Sequence, residues 1–225
     1  MCIKMKKIEF FLIVTICVCI GCSANTNNDR STNSKLLKDL NEKFFNTKSF
    51  FGKELVNHFP KRITEENITF TENLSPEMGN LEFILINKME NTQILELITT
   101  LKKKSITIYN ACDSCLLVVN RFARKDNFYD IKLTESDSKL VDRDCYSSLF
   151  PVPNFWHNDY TTDSTECRLP RDFNIYVLEA KSGKHFDDKY LTDGRFMPEK
   201  WRNGYSKGVA VSEKRNVVIY WLLVW

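Results

Sequence analysis

Glycine is scarce. The 225-residue chain has 7 glycines, well below the usual share of ~7%. Neither G-x-x-x-x-G-K-[ST] nor G-x-G-x-x-G occurs, so no phosphate-cradling loop of the common kinds is available. Histidine is rarer still, with three residues, and no two of them stand in an i, i+4 pair. There is no excess of one charge: 32 basic against 29 acidic residues give +3, and no basic stripe of the sort nucleic acid requires. There is no internal repeat, and apart from the first segment no apolar run approaches the length of a membrane span. With 43% hydrophobic and 27% charged residues, what remains is the composition of an ordinary globular protein rather than a disordered or multi-span one.

The first segment is an address. Lys4, Lys6 and Lys7 precede an apolar run from Phe10 to Ile20 that ends at Gly21-Cys22. Basic residues followed by an apolar run too short to span a bilayer mark a secretory signal. Met5, followed by Lys6-Lys7, is an alternative start. Cys19-Ile20-Gly21-Cys22 resembles the lipobox of bacterial lipoproteins, in which Leu is usual where Cys19 stands. The resemblance implies that residues 1–21 are removed, that Cys22 becomes a diacylated N-terminus, and that the protein is held in the cell envelope by lipid. Ser23, next to the acylated position, resembles the signal that sends enterobacterial lipoproteins to the outer membrane. A buried N-terminal helix or an uncleaved anchor is the alternative. Removal of three lysines and Glu9 with the signal lowers the net charge from +3 to +1.

Residues 22–34 (acylated Cys22, then SANTNNDRSTNS) contain no large apolar residue and are expected to form a flexible tether. A single α+β domain is expected over 35–225. Leu36, Leu37, Leu40, Phe44 and Phe45 share a helical stripe with Ser34 as N-cap, and a short helix is expected over 51–58, stopping at Pro60. Strands are expected at 68–74 and 81–87 around a Ser-Pro-Glu-Met-Gly turn, and a helix at 91–104 with lysines in its last turn. Further strands are expected at 106–110, 116–122, 129–133, 173–180, 208–212 and 217–225. Helices first and hairpins later, without βαβ alternation, favour a mostly antiparallel sheet. The last segment, apolar on both faces, is expected at its centre.

Outside the signal and Cys22, four cysteines remain: Cys112, Cys115, Cys145 and Cys167. In an exported chain they are expected to form two disulfides, with three possible connectivities. Cys112-Asp-Ser-Cys115 also has the spacing of a thiol-redox pair, although a strand-like run follows where a helix would depress the attacking pKa. Gly204-Tyr-Ser206-Lys-Gly208 fits the G-x-S-x-G of serine hydrolases, but no histidine follows it, and a strand succeeds it where the elbow needs a helix. His58 is assigned to a helix end, and His185 with Asp187 and Asp188 to a solvated charged loop. No metal or other cofactor is expected.

Two Pro-bearing, aromatic-rich loops are the most suggestive segments. One carries Phe155, Trp156 and Tyr160; the other carries Trp201, Arg202 and Tyr205. Flat rings flanked by hydrogen-bonding groups such as Asn154 and Asp159 suit a glycan or peptide ligand, or an envelope protein partner. The competing expectation is that the rings anchor loops to the core. Asp163-Ser164-Thr165 resembles a short bacterial O-glycosylation acceptor. The expectation for function is therefore a lipid-anchored envelope protein acting as a binding or interaction module. The alternative is an envelope enzyme, using Cys112/Cys115 for thiol redox chemistry or Ser206 for hydrolysis.

Overall fold

A computed structural model describes residues 26–64, 68–119, 121–122, 132–155 and 166–225. Its centre is one antiparallel sheet of six strands: β1 (Ile68–Asn73), β2 (Leu81–Lys88), β3 (Thr107–Asn110), β4 (Asn174–Ser182), β5 (Gly204–Ser212) and β6 (Val217–Val224), in the order β1-β2-β6-β5-β4-β3. The fold is α+β. The C-terminal strand β6 lies between β2 and β5 and is buried along nearly its whole length, as its two-sided apolar sequence requires.

Alternation sorts the sheet's side chains into two buried faces. Phe83 and Leu85 of β2, Val209 of β5, and Tyr220 and Leu222 of β6 pack under the helices. Those helices are α1 (Thr26–Phe51), α2 (Lys53–Val56) and α3 (Asn91–Lys104), which contribute Phe44, Phe51, Val56, Ile94, Ile98 and Leu101. The helix α3 opens with the Glu90 N–H donating to Gln93 Oε1 at 3.3 Å and ends in Lys102, Lys103 and Lys104, where cations suit the helix dipole. No described helix is long and apolar enough to cross a membrane.

The opposite face presents Ile84, Ile175, Val177, Ala210, Ile219 and Trp221 to an irregular layer that brings Leu116, Val118, Val152, Phe155, Cys167 and Phe173. Next to it, Leu223 and Trp225 meet Leu117, Val119, Tyr146 and Trp201. Arg121, with no exposed surface, holds this layer together. It donates to the carbonyl oxygens of Leu140, Val141 and Phe196, and its guanidinium lies over the Phe122 and Tyr146 rings. A short helix α4 (Glu135–Ser138) also belongs to the layer, its first turn capped by Thr134.

Four local expectations need correction. The first helix begins at Thr26 rather than after Ser34, so residues 26–34 are helical; once a packed stretch nucleates a helix, extending it costs little even through polar residues. The second helix covers only Lys53–Val56. Among the described residues of 116–122 no strand forms: the run touches the 150s loop through a parallel bridge, Val118 with Val152. Its aliphatic side chains are buried as a strand's would be, and a short continuous apolar run does not distinguish the two cases. Of the strand expected at 129–133, Lys132 and Leu133 are irregular and the rest lies outside the described residues.

Candidate functional site

The site lies at the end of the β4–β5 hairpin. The register places Glu179 opposite Lys207 and Lys181 opposite Tyr205, after an irregularity between Val177 and Glu179. Directly opposed residues share a face, so two lysines, a carboxylate and a phenol meet on the helix-covered side. The Lys207 side chain is only 7% exposed, and its ammonium is well partnered. It lies 2.8 Å from a Glu179 carboxylate oxygen and donates to the Glu54 carbonyl at 2.7 Å and to Asn57 Oδ1 at 3.4 Å. An ammonium has three protons to place, and this one has three acceptors. The Lys181 ammonium reaches the other Glu179 oxygen at 2.7 Å. Burial would raise the Glu179 carboxyl, but hydrogen bonds from Lys181, Lys207 and Tyr205 outweigh it and hold the group at about 2. A carboxylate so satisfied is a charge fixture, not a base for neutral pH.

Over this constellation the His185 ring sits edge-on to Tyr205, centroids 4.8 Å apart, with Nε2 3.0 Å from the Ser182 carbonyl. A cavity of 250 Å³ is lined by Glu54, Leu55, Glu179, Lys181, His185, Tyr205 and Lys207. A second, of 380 Å³, is lined by Phe150, Ala180, Lys181, Ser182, His185, Lys200 and Trp201. Lys181 and His185 line both hollows, which lie on either side of the hairpin end; the hairpin end with its two hollows is termed the groove. Lys200 Nζ lies 5.3 Å from the Trp201 ring centroid. Among the described residues, no group of three or more His, Cys, Asp or Glu is placed to hold a metal ion.

No protein family, curated protein or solved structure matches this chain. The chemistry of the groove therefore rests on its own residues.

Trp201 and Tyr205 both line the groove, yet they are only 2% and 4% exposed. Trp201 is a loop anchor: its Nε1 donates to the Leu149 carbonyl at 3.2 Å, and its own carbonyl accepts from Trp225 Nε1 at 2.9 Å. Phe155 is 1% exposed and packs edge-on against Trp221. Arg202 is outside the groove lining and pairs with Asp193 at 2.6 Å. The expectation of one exposed aromatic face is thus corrected: Phe155 and Trp201 fill different clusters of the core, because rings on loops gain more from burial than from exposure. Trp156, His157, Asp159, Tyr160 and the Asp163-Ser164-Thr165 segment lie outside the described residues, as does Cys22.

The two enzyme readings lose their geometry. Cys115 is bonded to Cys145, with Cα atoms 6.5 Å apart, so Cys112 and Cys115 are not a redox couple; Cys112 and Cys167 carry free thiols. Ser206 has no exposed surface, and its hydroxyl donates to the Pro151 carbonyl at 2.6 Å, which leaves no approach for a substrate. Sequence reasoning missed Glu179, Lys181, Lys200 and Lys207, and it assigned His185 to a solvated loop. The available signal was Lys207, a lone cation inside an otherwise apolar and small-residue strand.

Proposed function

We propose that the protein is a lipid-anchored bacterial envelope protein that binds the anionic group of a glycan or peptide in the groove at the end of β4 and β5. The observation that carries this reading is that Lys181 and His185 line two hollows, one shared with Glu54, Glu179 and Lys207 and the other with Phe150 and Lys200. Lys207 is consumed by Glu179, the Glu54 carbonyl and Asn57; an incoming carboxylate or phosphate would share Lys181 with Glu179 and meet Lys200. Phe150, half-buried in the lining of the second hollow, offers an apolar wall for the remainder of the ligand.

Membrane attachment rests on the order of basic residues, apolar run and Gly21-Cys22, which supports lipidation at Cys22, and Ser23 after it supports an outer-membrane location. Substitution Cys22→Ala is expected to abolish acyl labelling and move the protein out of the detergent phase; unchanged partitioning would refute the anchor. For the groove, binding to an array of anionic and neutral oligosaccharides and peptides should concentrate on the anionic members. The double substitution Lys181→Ala/Lys200→Ala should weaken it by about 1–3 kcal/mol per charge-assisted hydrogen bond lost. Equal binding to neutral members, or no loss in the double variant, would defeat the reading.

A further inference from the structure

Cys112 and Cys167, the two free thiols, are neighbours. The Cys167 sulfur lies 3.7 Å from the carbonyl oxygen of Ala111, and Cys112 is the next residue in the chain. The Ala111 oxygen and the Cys112 Cα belong to one planar peptide group and stand about 3 Å apart. The Cys167 sulfur is therefore no more than about 7 Å from the Cys112 Cα, so a small shift of the exposed 112–113 corner would bring the two sulfurs together. Both segments are fixed by other contacts. The Ala111 N–H donates to the Phe173 carbonyl at 3.0 Å, and the Cys167 carbonyl accepts from the Phe155 N–H at 3.0 Å. The Cys112 side chain is exposed, and its thiol turns toward Asn110 Oδ1 at 2.8 Å, a contact that rotation about χ1 releases.

We infer that Cys112 and Cys167 form a second disulfide in the exported protein, nested outside Cys115–Cys145, so that the 111–115 corner is cross-linked to the irregular layer at both of its cysteines. The reaction is thiol–disulfide exchange with an external disulfide. The Cys112 thiolate attacks it and releases one thiol; the Cys167 thiolate then attacks the mixed disulfide at the Cys112 sulfur and releases the second. Two protons and two electrons leave the protein, and the external disulfide becomes two thiols. Exposure makes Cys112 the first attacker, because burial pushes the Cys167 thiol up to about 11. The inference relies on the export reading for its compartment and is independent of the groove.

The test uses the purified mature chain equilibrated with oxidised glutathione, trapped with iodoacetamide and mapped by mass spectrometry without reduction. Cleavage on the N-terminal side of Asp113 separates Cys112 from Cys115, so the two cross-links give different peptide pairs. The expected result is a Cys112–Cys167 peptide pair beside the Cys115–Cys145 pair, with iodoacetamide labelling lost at all four positions. A Cys115–Cys145 pair accompanied by labelled Cys112 and Cys167, or by glutathione left on Cys112, overturns the inference while leaving export standing. In protein recovered from the envelope, four labelled cysteines would overturn both this inference and export to an oxidising compartment.

Discussion

His58 is half-buried beside the groove, with Nε2 2.8 Å from the Trp221 carbonyl. Burial, reinforced by the nearby charges of Lys207 and Lys48, pushes its pKa down to about 3. The unfolded chain takes up a proton below about 6.5, whereas the folded protein waits until about 3. Stability from this group is thus complete above pH 6.5 and is lost as pH falls toward 3, up to about 5 kcal/mol in all. Glu82 has the opposite sign: burial raises it to about 8, so its contribution is complete below its unfolded pKa and is lost as pH rises through 8. Urea unfolding between pH 4 and 8 should show His58→Gln flattening the acid limb and Glu82→Gln gaining stability at pH 8. A His58→Gln curve parallel to wild type would contradict the half-buried neutral ring. Trp201→Ala should cost about 3–5 kcal/mol, as for other buried aromatics, read as a large drop in Tm; a variant that melts like wild type would return Trp201 to the surface.

At the scale of elements, the G-x-S-x-G sequence has a packing explanation. A Cβ on Gly208 would drive into the Tyr176 carbonyl of β4 and the Trp221 ring of β6, so β5 can lie between its neighbours only with a bare backbone there. Gly208→Ala is expected to destabilise the protein by about 1–3 kcal/mol or more through overpacking. Ser206→Ala should cost about 1 kcal/mol for one lost hydrogen bond. Chemical denaturation of the two variants checks the order, and a larger loss at Ser206 would argue against this account. The helix α1 has a consequence for the anchor: if Cys22 is acylated, few residues separate the lipid from a helix that already begins at Thr26, so the domain would stand close to the bilayer.

Across the whole molecule, the sheet is clamped between a layer of helices and an irregular layer with little regular hydrogen bonding of its own. The latter depends on side chains: Arg121 with its carbonyl acceptors, and the Cys115–Cys145 bond across 30 residues. Loss of that bond through Cys145→Ala should cost about 2–4 kcal/mol. The damage should be local, since segments held by few backbone bonds open below the global free energy. Hydrogen exchange is therefore expected to lose protection at Val119 and Val152 while β2, β5 and β6 stay protected. Uniform loss across the sheet would mean that the two layers unfold as one unit.

Where the chain's own periodicity is strong, its structure was legible without coordinates. The helix α3 has the expected bounds, β2 differs by one residue, and β6 is central because a strand apolar on both faces needs cover on both. Burial of a face is a local property of a pattern and survives any arrangement of the rest. Long-range pairing is different. That Cys115 joins Cys145, that the aliphatic run after Cys115 packs without joining the sheet, and that Glu54, Glu179 and Lys207 share one groove all depend on which segments come together. In the groove's case, a register irregularity in β4 puts Glu179 opposite Lys207, and α2 brings the Glu54 carbonyl to the same ammonium. Those contacts join residues far apart in sequence, so no local spacing encodes them. Tertiary packing decided them, because only there does desolvating Lys207 find the acceptors that make its burial tolerable.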